Sequence, residues 1–272
     1  MIILEPQGGL ANRMRVVASG LAVVRESNQK LAVIWNLKQE LNCNFDLLFN
    51  KIPDITFIEK KEKLVFLHRS NQTKFLKKVK AYVRNKFLGI DYCIAEGDMT
   101  DLKFREKINK IIKYNKNIFI STSQQFGHNY NEFKHFVPVN EIQCIINKQI
   151  ALFDDHTIGI HIRQTDNFIS IDNSPVELFV DKIKEEINRN INVTFFLSTD
   201  NPILEDKLIK LFGSKIMIYK KELNRNSQQG IIDAVVDMFC LSKTKYIYGS
   251  YWSSFSDIAS VIGGIDKIIL KK

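Results

Sequence analysis

The sequence predicts an α/β protein of two domains, each built from strands that alternate with helices. Its 272 residues suit two domains of roughly 100–150 residues better than one. Short apolar runs, typical of buried strands, alternate with longer stretches whose apolar residues recur at helical spacing. Several of these runs end in charged or hydroxyl-rich segments, and the ligands of open α/β sheets bind beyond the carboxyl ends of strands.

The first half of the chain contains three recognisable strands and two helices. Apolar residues predict strands over residues 1–5, 31–35 and 117–121, and helices over about 14–24 and 102–113; two further short apolar runs lie at 56–58 and 63–67. Regularity then breaks at 133–138, where Pro138 favours an extended connection. We therefore place the domain boundary after residue 140, which gives domains of residues 1–140 and 141–272.

The first strand runs directly into Gln7-Gly8-Gly9-Leu10-Ala11-Asn12-Arg13. A strand, a Gly-Gly turn and a helix together bring backbone amides and a helix N-terminus towards an anion. Arg13 at the helix start is unfavourable for the helix dipole, which is consistent with an anion held nearby. The alternative is a tight turn that needs glycine only for its backbone angles. The third glycine of a dinucleotide-binding motif is missing.

The second half is a clearer alternation of strands and helices. Strands are predicted over residues 157–160, 193–197, 215–219 and 246–249, with helices over 141–153, 174–190, 203–212, 231–243 and 258–262. Ser174 can cap the second of these helices and Pro175 can occupy its first turn. On the helix over 231–243, Asp233 and Asp237 lie four residues apart and so share one face. Buried carboxylates on an otherwise apolar helix need partners.

Polar groups follow the strands of this half. His161-Ile162-Arg163-Gln164-Thr165-Asp166 continues the strand over 157–160, and Asp200 follows the next strand. Arg163 offers a planar fork of donors that suits phosphate. The alternative is an ion pair of Arg163 with Asp166 that only fixes a loop. Together with the serine-rich turn 250–257, these strand ends predict a nucleotide-sized ligand across the sheet edge.

The net charge of +9 predicts attraction to anionic partners. Much of it lies in residues 74–87, whose apolar residues at helical spacing suit a helix on an acidic lipid surface or, equally, a solvated basic helix. Nucleic-acid binding is not expected, because no nucleic-acid-binding motif accompanies the charge. Without a signal peptide or transmembrane stretch, and with four scattered cysteines expected to be reduced core thiols, the protein is expected to be cytoplasmic.

Five stretches carry a resemblance to a known family. The chain resembles the fucosyltransferase superfamily of GT-B enzymes, which includes the α1,6-, α1,2- and protein O-fucosyltransferases. The stretches are Gly8-Gly9-Leu10-Ala11-Asn12-Arg13, Phe136-x-Pro138, His161-Ile162-Arg163-Gln164-Thr165-Asp166, Asp237-Met238-Phe239-Cys240-Leu241-Ser242 and Ser253-Ser254-Phe255-Ser256. They span most of the chain in the family's order, and the His-x-Arg form is closer to the α1,6 enzymes.

The resemblance implies two Rossmann-like domains facing across a cleft, an acceptor-side N-terminal domain and a GDP-sugar-binding C-terminal domain. It also implies inverting, metal-independent transfer of L-fucose from GDP-β-L-fucose, with no cofactor beyond this donor. By the family's motifs, Arg163 would hold the β-phosphate and Asp237 the guanine. Further donor contacts would come from both domains: Gly8, Gly9, Asn12, Arg13, His161, Asp200, Ser253, Ser254 and Phe255.

The resemblance implies a bacterial enzyme of surface polysaccharide synthesis (O-antigen or capsule). A lipid-linked glycan acceptor would suit the basic stretch and a peripheral position at the inner face of the membrane. A general base must take the acceptor proton. The glutamate that some relatives place after His-x-Arg is absent here, so Asp166, Asp172 or no dedicated side chain are the alternatives. Other interpretations are a GT-B transferase with another nucleotide sugar, a related deoxysugar such as colitose, and a non-catalytic glycan- or nucleotide-binding module.

Overall fold

The structure is a computed structural model of the 272-residue chain. It describes residues 1–38, 40–58, 79, 83, 85–87, 89–127, 130–165, 167–224 and 226–272. The chain divides into two compact units. The first comprises Met1–Phe45 and Asn50–Phe136, and the second comprises Asp46–Phe49 and Val137–Lys272. The short segment 46–49 belongs with the second unit because Phe49 pairs with Pro138 and its ring lies 6.3 Å from that of Phe239.

The first unit contains a five-stranded parallel sheet in the order β3-β2-β1-β5-β4. Its strands are β1 (Ile2–Pro6), β2 (Leu31–Ile34), β3 (Ile55–Ile58), β4 (Tyr92–Ala95) and β5 (Ile118–Thr122). The central strand β1 is buried along its whole length. This burial on both faces explains why Ile2-Ile3-Leu4 reads as an unbroken apolar run rather than an alternating one.

The helices that accompany this sheet include α1 (Leu10–Ser27), α2 (Glu96–Met99) and α3 (Leu102–Tyr114). Helix α1 packs on β1 and β2. It ends at Asn28, which adopts the left-handed conformation with φ 53°, a common helix terminus for asparagine. A 3₁₀ helix, Tyr130–His135, packs on α1 near the end of the unit.

The second unit contains another five-stranded parallel sheet, in the order β10-β9-β6-β7-β8. Its strands are β6 (Thr157–Ile162), β7 (Thr194–Thr199), β8 (Ile216–Ile218), β9 (Ile247–Ser250) and β10 (Lys267–Leu270). The central strand β6 lies between β7 and β9, so the chain leaves β6 in one direction and later returns on its other side. In open α/β sheets such a reversal of strand order opens a ligand crevice at the carboxyl ends.

Six helices accompany the second sheet within the described ranges: α4 (Asn140–Ile150), α5 (Phe168–Asn173), α6 (Val176–Arg189), α7 (Pro202–Phe212), α8 (Gln228–Leu241) and α9 (Ser254–Gly263). Helix α7 begins at Pro202, one residue before the predicted start, because Asn201 accepts hydrogen bonds from the amides of Ile203 and Leu204 and Pro202 occupies the first turn.

The two faces of β6 are covered by different helices. Ile158, Ile160 and Ile162 share a core with Phe179 and Ile183 of α6. The intervening residues point the other way. A Cβ on Gly159 would lie 3.1 Å from Leu241 at the end of α8, and His161 stacks on Phe255 of α9. Strand alternation therefore directs His161 towards α9.

The structure differs from the expectations in several elements. Strands β4 and β10 and helices α2 and α5 were not predicted. Ser174 does not cap α6: the helix begins after Pro175, and the Ser174 hydroxyl instead donates to the Leu270 carbonyl and accepts from the Tyr251 amide. All four cysteines are free, but Cys144 is exposed on α4 rather than part of the core.

The basic stretch 74–87 and the apolar run 63–67 lie largely or wholly outside the described residues. Within the described residues, the structure contains no helix with the length and apolar character needed to cross a membrane.

Candidate functional site

The carboxyl end of β6 brings together residues from three strand ends. The Arg163 amide donates to Ser250 Oγ at the end of β9 (3.1 Å). The Arg163 guanidinium Nε lies 3.1 Å from Asp200 Oδ2, just beyond β7. Both side chains of this pair are about one-fifth exposed, at 18% and 19%. A guanidinium is therefore held, accessible to solvent, at the reversal point of the sheet.

Asp200 braces the segment that follows β6. Its Oδ1 accepts from the Gln164 amide and its Oδ2 from Thr165 Oγ1, each at 2.7 Å. With the Arg163 contact, three consecutive residues are fixed by one carboxylate. The loop-fixing ion pair of Arg163 is thus made with Asp200. The alternative partner, Asp166, lies outside the described residues.

His161 is buried next to this segment, 4% exposed. Its ring stacks on Phe255, with centroids 5.0 Å apart and planes at 21°. Burial lowers the pKa of His161 well below its usual value, and the nearby charges of Arg163, Lys267 and Lys221 lower it further. The imidazole is therefore neutral at physiological pH, and its buried Nδ1 has no hydrogen-bond partner among the described residues.

Asp237 lies in a buried polar cluster beneath the strand ends. Its Oδ2 accepts from Ser198 Oγ of β7 at 2.8 Å and lies 3.1 Å from Lys221 Nζ. Burial raises the pKa of Asp237, while Lys221 and Ser198 oppose that rise. Its Oδ1 is buried and has no partner in the described part of the chain. An orphaned buried acceptor is uncommon in native structures and marks a place for a ligand donor or a water.

The companion carboxylate, Asp233, is fully used inside the protein. It accepts hydrogen bonds from Tyr219 Oη, the Glu222 amide and Gln229 Nε2, at 2.8–2.9 Å. Burial and the bond to Asp233 raise the pKa of Tyr219. Most partners of the two α8 carboxylates thus come from the segment after β8, which supplies Tyr219 and Glu222 to Asp233 and Lys221 to Asp237.

Ser253, Ser254 and Phe255 form the start of α9. Ser253 is the N-cap residue, although its side chain makes no capping hydrogen bond. Trp252, immediately before it, adopts a left-handed conformation with φ 57°, and its carbonyl accepts from Asn167 Nδ2 at 3.1 Å. The first amides of α9 are thus placed next to the loop that carries Arg163, and helix N-termini bind anions.

In the first unit, the predicted glycine turn is present between β1 and α1. Gly8 has φ 78°, a left-handed conformation that favours glycine, and a Cβ there would lie 2.7 Å from Asn12 Nδ2, so the end of the Asn12 side chain would have to shift. Gly9 is the N-cap residue of α1. At Gly8, the turn therefore needs glycine for its backbone angles, as one of the two sequence interpretations states.

Arg13 is completely buried and supports this turn. Its Nε donates to the Gly8 carbonyl at 2.8 Å, its Nη1 donates to the Asn36 carbonyl, and its guanidinium lies 5.2 Å from the Trp35 ring centroid. Burial lowers the pKa of Arg13 to about 10, against the raising influence of Glu40 and Glu5. The guanidinium therefore holds the backbone of the turn from inside the unit.

Two features of the first unit were missed by the sequence interpretation. The Glu96 carboxylate accepts hydrogen bonds from Thr122 Oγ1, from the Ser123 amide and hydroxyl, and from Gln124 Nε2, at 2.6–2.9 Å. These bonds outweigh burial and lower the pKa of Glu96. The same loop lines an open pocket of about 390 Å³ with Arg15. Nothing in Ala95-Glu96-Gly97-Asp98 distinguishes this carboxylate from an ordinary surface residue.

The two candidate bases receive no further support from the geometry. Asp172 is exposed on α5, and Asp166 lies outside the described residues. Among the residues that the structure describes, no cluster of three or more His, Cys, Asp or Glu side chains could hold a metal ion.

Comparison with known proteins places the fold. No protein-family model matches the chain, and no curated protein matches it by sequence. Solved structures do match. An α-1,6-fucosyltransferase, NodZ, soaked with GDP-fucose, shares 16% identity at a TM-score of 0.63, with 96% of this chain and 92% of that chain covered.

Two further structures extend the likeness. Arabidopsis thaliana FUT1, a variant in complex with GDP, shares 16% identity at a TM-score of 0.64, over 99% of this chain and 69% of that chain. POFUT1 in complex with GDP-fucose shares 11% identity at a TM-score of 0.59, over 99% and 97%. The chain thus has the two-domain α/β GT-B fold of these proteins. The expected fold class is confirmed, and so is the resemblance at the level of the fold.

Proposed function

We propose that the protein is a fucosyltransferase that moves L-fucose, or a related deoxysugar, from a GDP-linked donor to a glycan. We base this on one observation from the described residues. The Arg163 guanidinium, braced by Asp200, and a buried Asp237 oxygen that has no partner among those residues both lie in the polar strand-end region of a sheet whose strand order reverses there. The solved structures with this fold that were obtained with GDP or GDP-fucose support the choice of donor.

The second unit would bind the donor. Arg163 would pair with the β-phosphate, since a guanidinium binds phosphate oxygens through two parallel hydrogen bonds. The first amides of α9, with Ser253 and Ser254, would bind the other phosphate oxygens. Oδ1 of Asp237 would accept from guanine. His161 and Phe255, stacked on each other, would form the adjacent wall.

The first unit would bind the acceptor and add contacts to the donor through Gly8, Gly9 and Asn12. Arg13 would act on these contacts indirectly, because its Nε and Nη1 donate to the carbonyls of Gly8 and Asn36 inside the unit. For the functional domains we keep residues 1–140 and 141–272. Asp200 would serve as the brace of Arg163 rather than as a direct donor contact.

The reaction is a single displacement. The acceptor hydroxyl oxygen forms a bond to the anomeric carbon as the bond to the β-phosphate oxygen breaks, so configuration inverts and GDP departs with the bonding electrons. Arg163 stabilises the charge that develops on GDP, which makes a metal ion unnecessary in this proposal. Such preorganised charge stabilisation is usually the largest catalytic contribution.

The proton of the acceptor hydroxyl must pass to a base. Asp166 and Asp172 are the candidates in the second unit, and a transfer to solvent without a dedicated side chain is the alternative. Glu96 is a poor candidate, because its four hydrogen bonds stabilise the ionised carboxylate and so weaken it as a base.

The proposed setting is the assembly of a bacterial surface polysaccharide in the cytoplasm. The basic stretch 74–87 would favour a lipid-linked acceptor at an anionic membrane face. Equal binding of the protein to neutral and anionic vesicles would remove this part of the proposal.

The test is calorimetric titration with GDP, UDP and CDP in the presence of EDTA, followed by an assay of sugar transfer from GDP-fucose. We expect binding of GDP in preference to the other two. Preference for UDP or CDP would indicate a transferase for another nucleotide sugar.

A variant separates an enzyme from a binding module. Arg163→Ala should lower the transfer rate by roughly 10²–10³-fold, the effect of removing one charge-stabilising contact. Arg189→Ala, which removes a largely exposed guanidinium on α6, is the matched control and should leave the rate unchanged. A module without catalytic activity would transfer no sugar in any form and would keep its glycan affinity in both variants.

A further inference from the structure

Lys221 is a buried cation that the sequence interpretation did not single out. Its side chain is 3% exposed, although it follows Lys220 in a charged stretch that resembles an ordinary surface. Its Nζ lies 3.1 Å from Asp237 Oδ2 and 3.4 Å from Glu205 Oε2. Burying an ammonium is unfavourable unless it is paired. The two carboxylates supply that pairing.

Lys221 is held firmly in this position. Burial alone would lower the pKa of Lys221, but the charges and hydrogen bonds of Asp237 and Glu205 raise it. The ammonium therefore stays charged beside the two carboxylates. The segment that carries it is fixed as well, because Tyr219 Oη and the Glu222 amide both donate to Asp233, one turn before Asp237 on α8.

The consequence for Asp237 is a fixed orientation. Lys221 and the Ser198 hydroxyl both bind Oδ2, so the carboxylate cannot rotate without breaking two contacts. Oδ1 is then the oxygen that has no partner within the described ranges of the chain. A single acceptor of fixed direction suits a base edge on which two N–H donors are adjacent. Guanine presents such an edge at N1 and at its 2-amino group, whereas the ring N–H of uracil lies between two acceptors.

We propose that Lys221 is a positioning residue for base specificity, which orients Asp237 so that Oδ1 accepts from the guanine edge. This inference rests on the proposed GDP-sugar donor. Glu205 takes part indirectly, because it shares the charge of Lys221 and keeps the ammonium within the cluster.

The experiment compares the affinities of GDP, inosine diphosphate and UDP for the wild-type chain, Lys221→Met and Lys220→Met. Inosine diphosphate differs from GDP only in lacking the 2-amino group, so the ratio of the two affinities reports recognition of the guanine edge. Lys220 is the exposed neighbour of Lys221. Its substitution removes the same charge and serves as the control.

We expect Lys221→Met to weaken GDP binding by about 10–100-fold, the equivalent of losing one well-placed hydrogen bond to a charged group. The affinity ratio of GDP to inosine diphosphate should fall towards one, while UDP binding stays unchanged. Lys220→Met should match the wild type. If Lys221→Met does not fold, Lys221→Gln keeps an uncharged N–H donor on a shorter side chain, and it should show the same fall in the ratio to a smaller extent.

Two outcomes would overturn the inference alone. One is a wild-type chain that prefers GDP together with a Lys221 variant that keeps the full ratio. The other is an equal loss for all three nucleotides, which would show that Lys221 only supports the fold. A wild-type chain without preference for GDP would instead refute the proposed function, and the role of Lys221 with it.

Discussion

Asp200→Ala is the most informative substitution at the strand ends, because one carboxylate there restrains Arg163, Gln164 and Thr165. The substitution removes two hydrogen bonds and the ion pair with Arg163. It also removes a negative charge from a region proposed to bind phosphates. The two effects act in opposite directions on GDP affinity, so their magnitudes decide the result.

A hydrogen bond to a charged group contributes about 1.5–3 kcal/mol and a neutral one about 1 kcal/mol. Because both side chains of the ion pair are about one-fifth exposed, water replaces part of these contacts, and we expect a net loss of about 2–3 kcal/mol of stability. Relief of charge repulsion with the phosphates amounts to about 1 kcal/mol at 4 Å in water. The loss of GDP affinity caused by a less ordered Arg163 guanidinium should be larger than the gain from this reduced repulsion.

We therefore expect Asp200→Ala to lower the melting temperature by about 5–10 °C and GDP affinity by about tenfold. The measurements are thermal unfolding and calorimetric titration. Asp206→Ala removes an exposed carboxylate on α7 and should change neither. If Asp200→Ala bound GDP more tightly than the wild type, the carboxylate would act as a repulsive charge and the bracing role would be wrong.

Three further predictions concern stability. Gly230→Ala should lower the free energy of unfolding by about 2–3 kcal/mol in denaturant titration, because a Cβ there would lie 2.0 Å from the Asn224 carbonyl oxygen. Gly97→Ala, with open space around it, should not. Arg13→Met should cost about 2–4 kcal/mol by the same assay, since it removes the buried donors to the Gly8 and Asn36 carbonyls. If Arg13→Met kept wild-type stability, the turn between β1 and α1 would not depend on the Arg13 side chain. The pKa of Glu96 is lower in the folded protein than its ordinary value of 4.5, so its ionised carboxylate stabilises the fold at any pH above 4.5. That contribution disappears as pH falls through the lower folded value, so Glu96→Gln should flatten the acid limb of stability against pH.

The second sheet was largely predictable because its strands are short apolar runs with polar ends. The runs over 157–160 and 193–197 became β6 and β7, each extended by two residues at its carboxyl end. Those extensions contain His161 and Ser198, whose polarity concealed their place in the strand. The strand continues through them because one face of the sheet needs apolar residues there, while the other face holds the polar cluster.

The missed elements have a physical reason too. Tyr92-Cys93-Ile94-Ala95 forms β4, the edge strand beside β5, and Lys267-Ile268-Ile269-Leu270 forms β10, the edge strand beside β9. Edge strands bury less of their surface and carry polar or exposed residues, so their patterns are weak. Pairing with an already formed neighbour, rather than the local sequence, makes them strands.

The composition of the site follows from strand order more than from any single motif. The Arg163 amide and the Ser250 hydroxyl are 87 residues apart and yet 3.1 Å from each other. They meet because β9 returns to the opposite side of β6 from β7, which also brings Asp200 to the same edge. The sequence shows each polar strand end but not the residues that it contacts. The local sequence pattern of a strand is the same whichever strands lie beside it, so the order β9-β6-β7 could not be predicted from it. Lys221 is the extreme case, because its two partners lie on separate helices, α7 and α8, that only the folded unit brings together. A basic residue in a charged stretch becomes an internal part of the site solely through that packing.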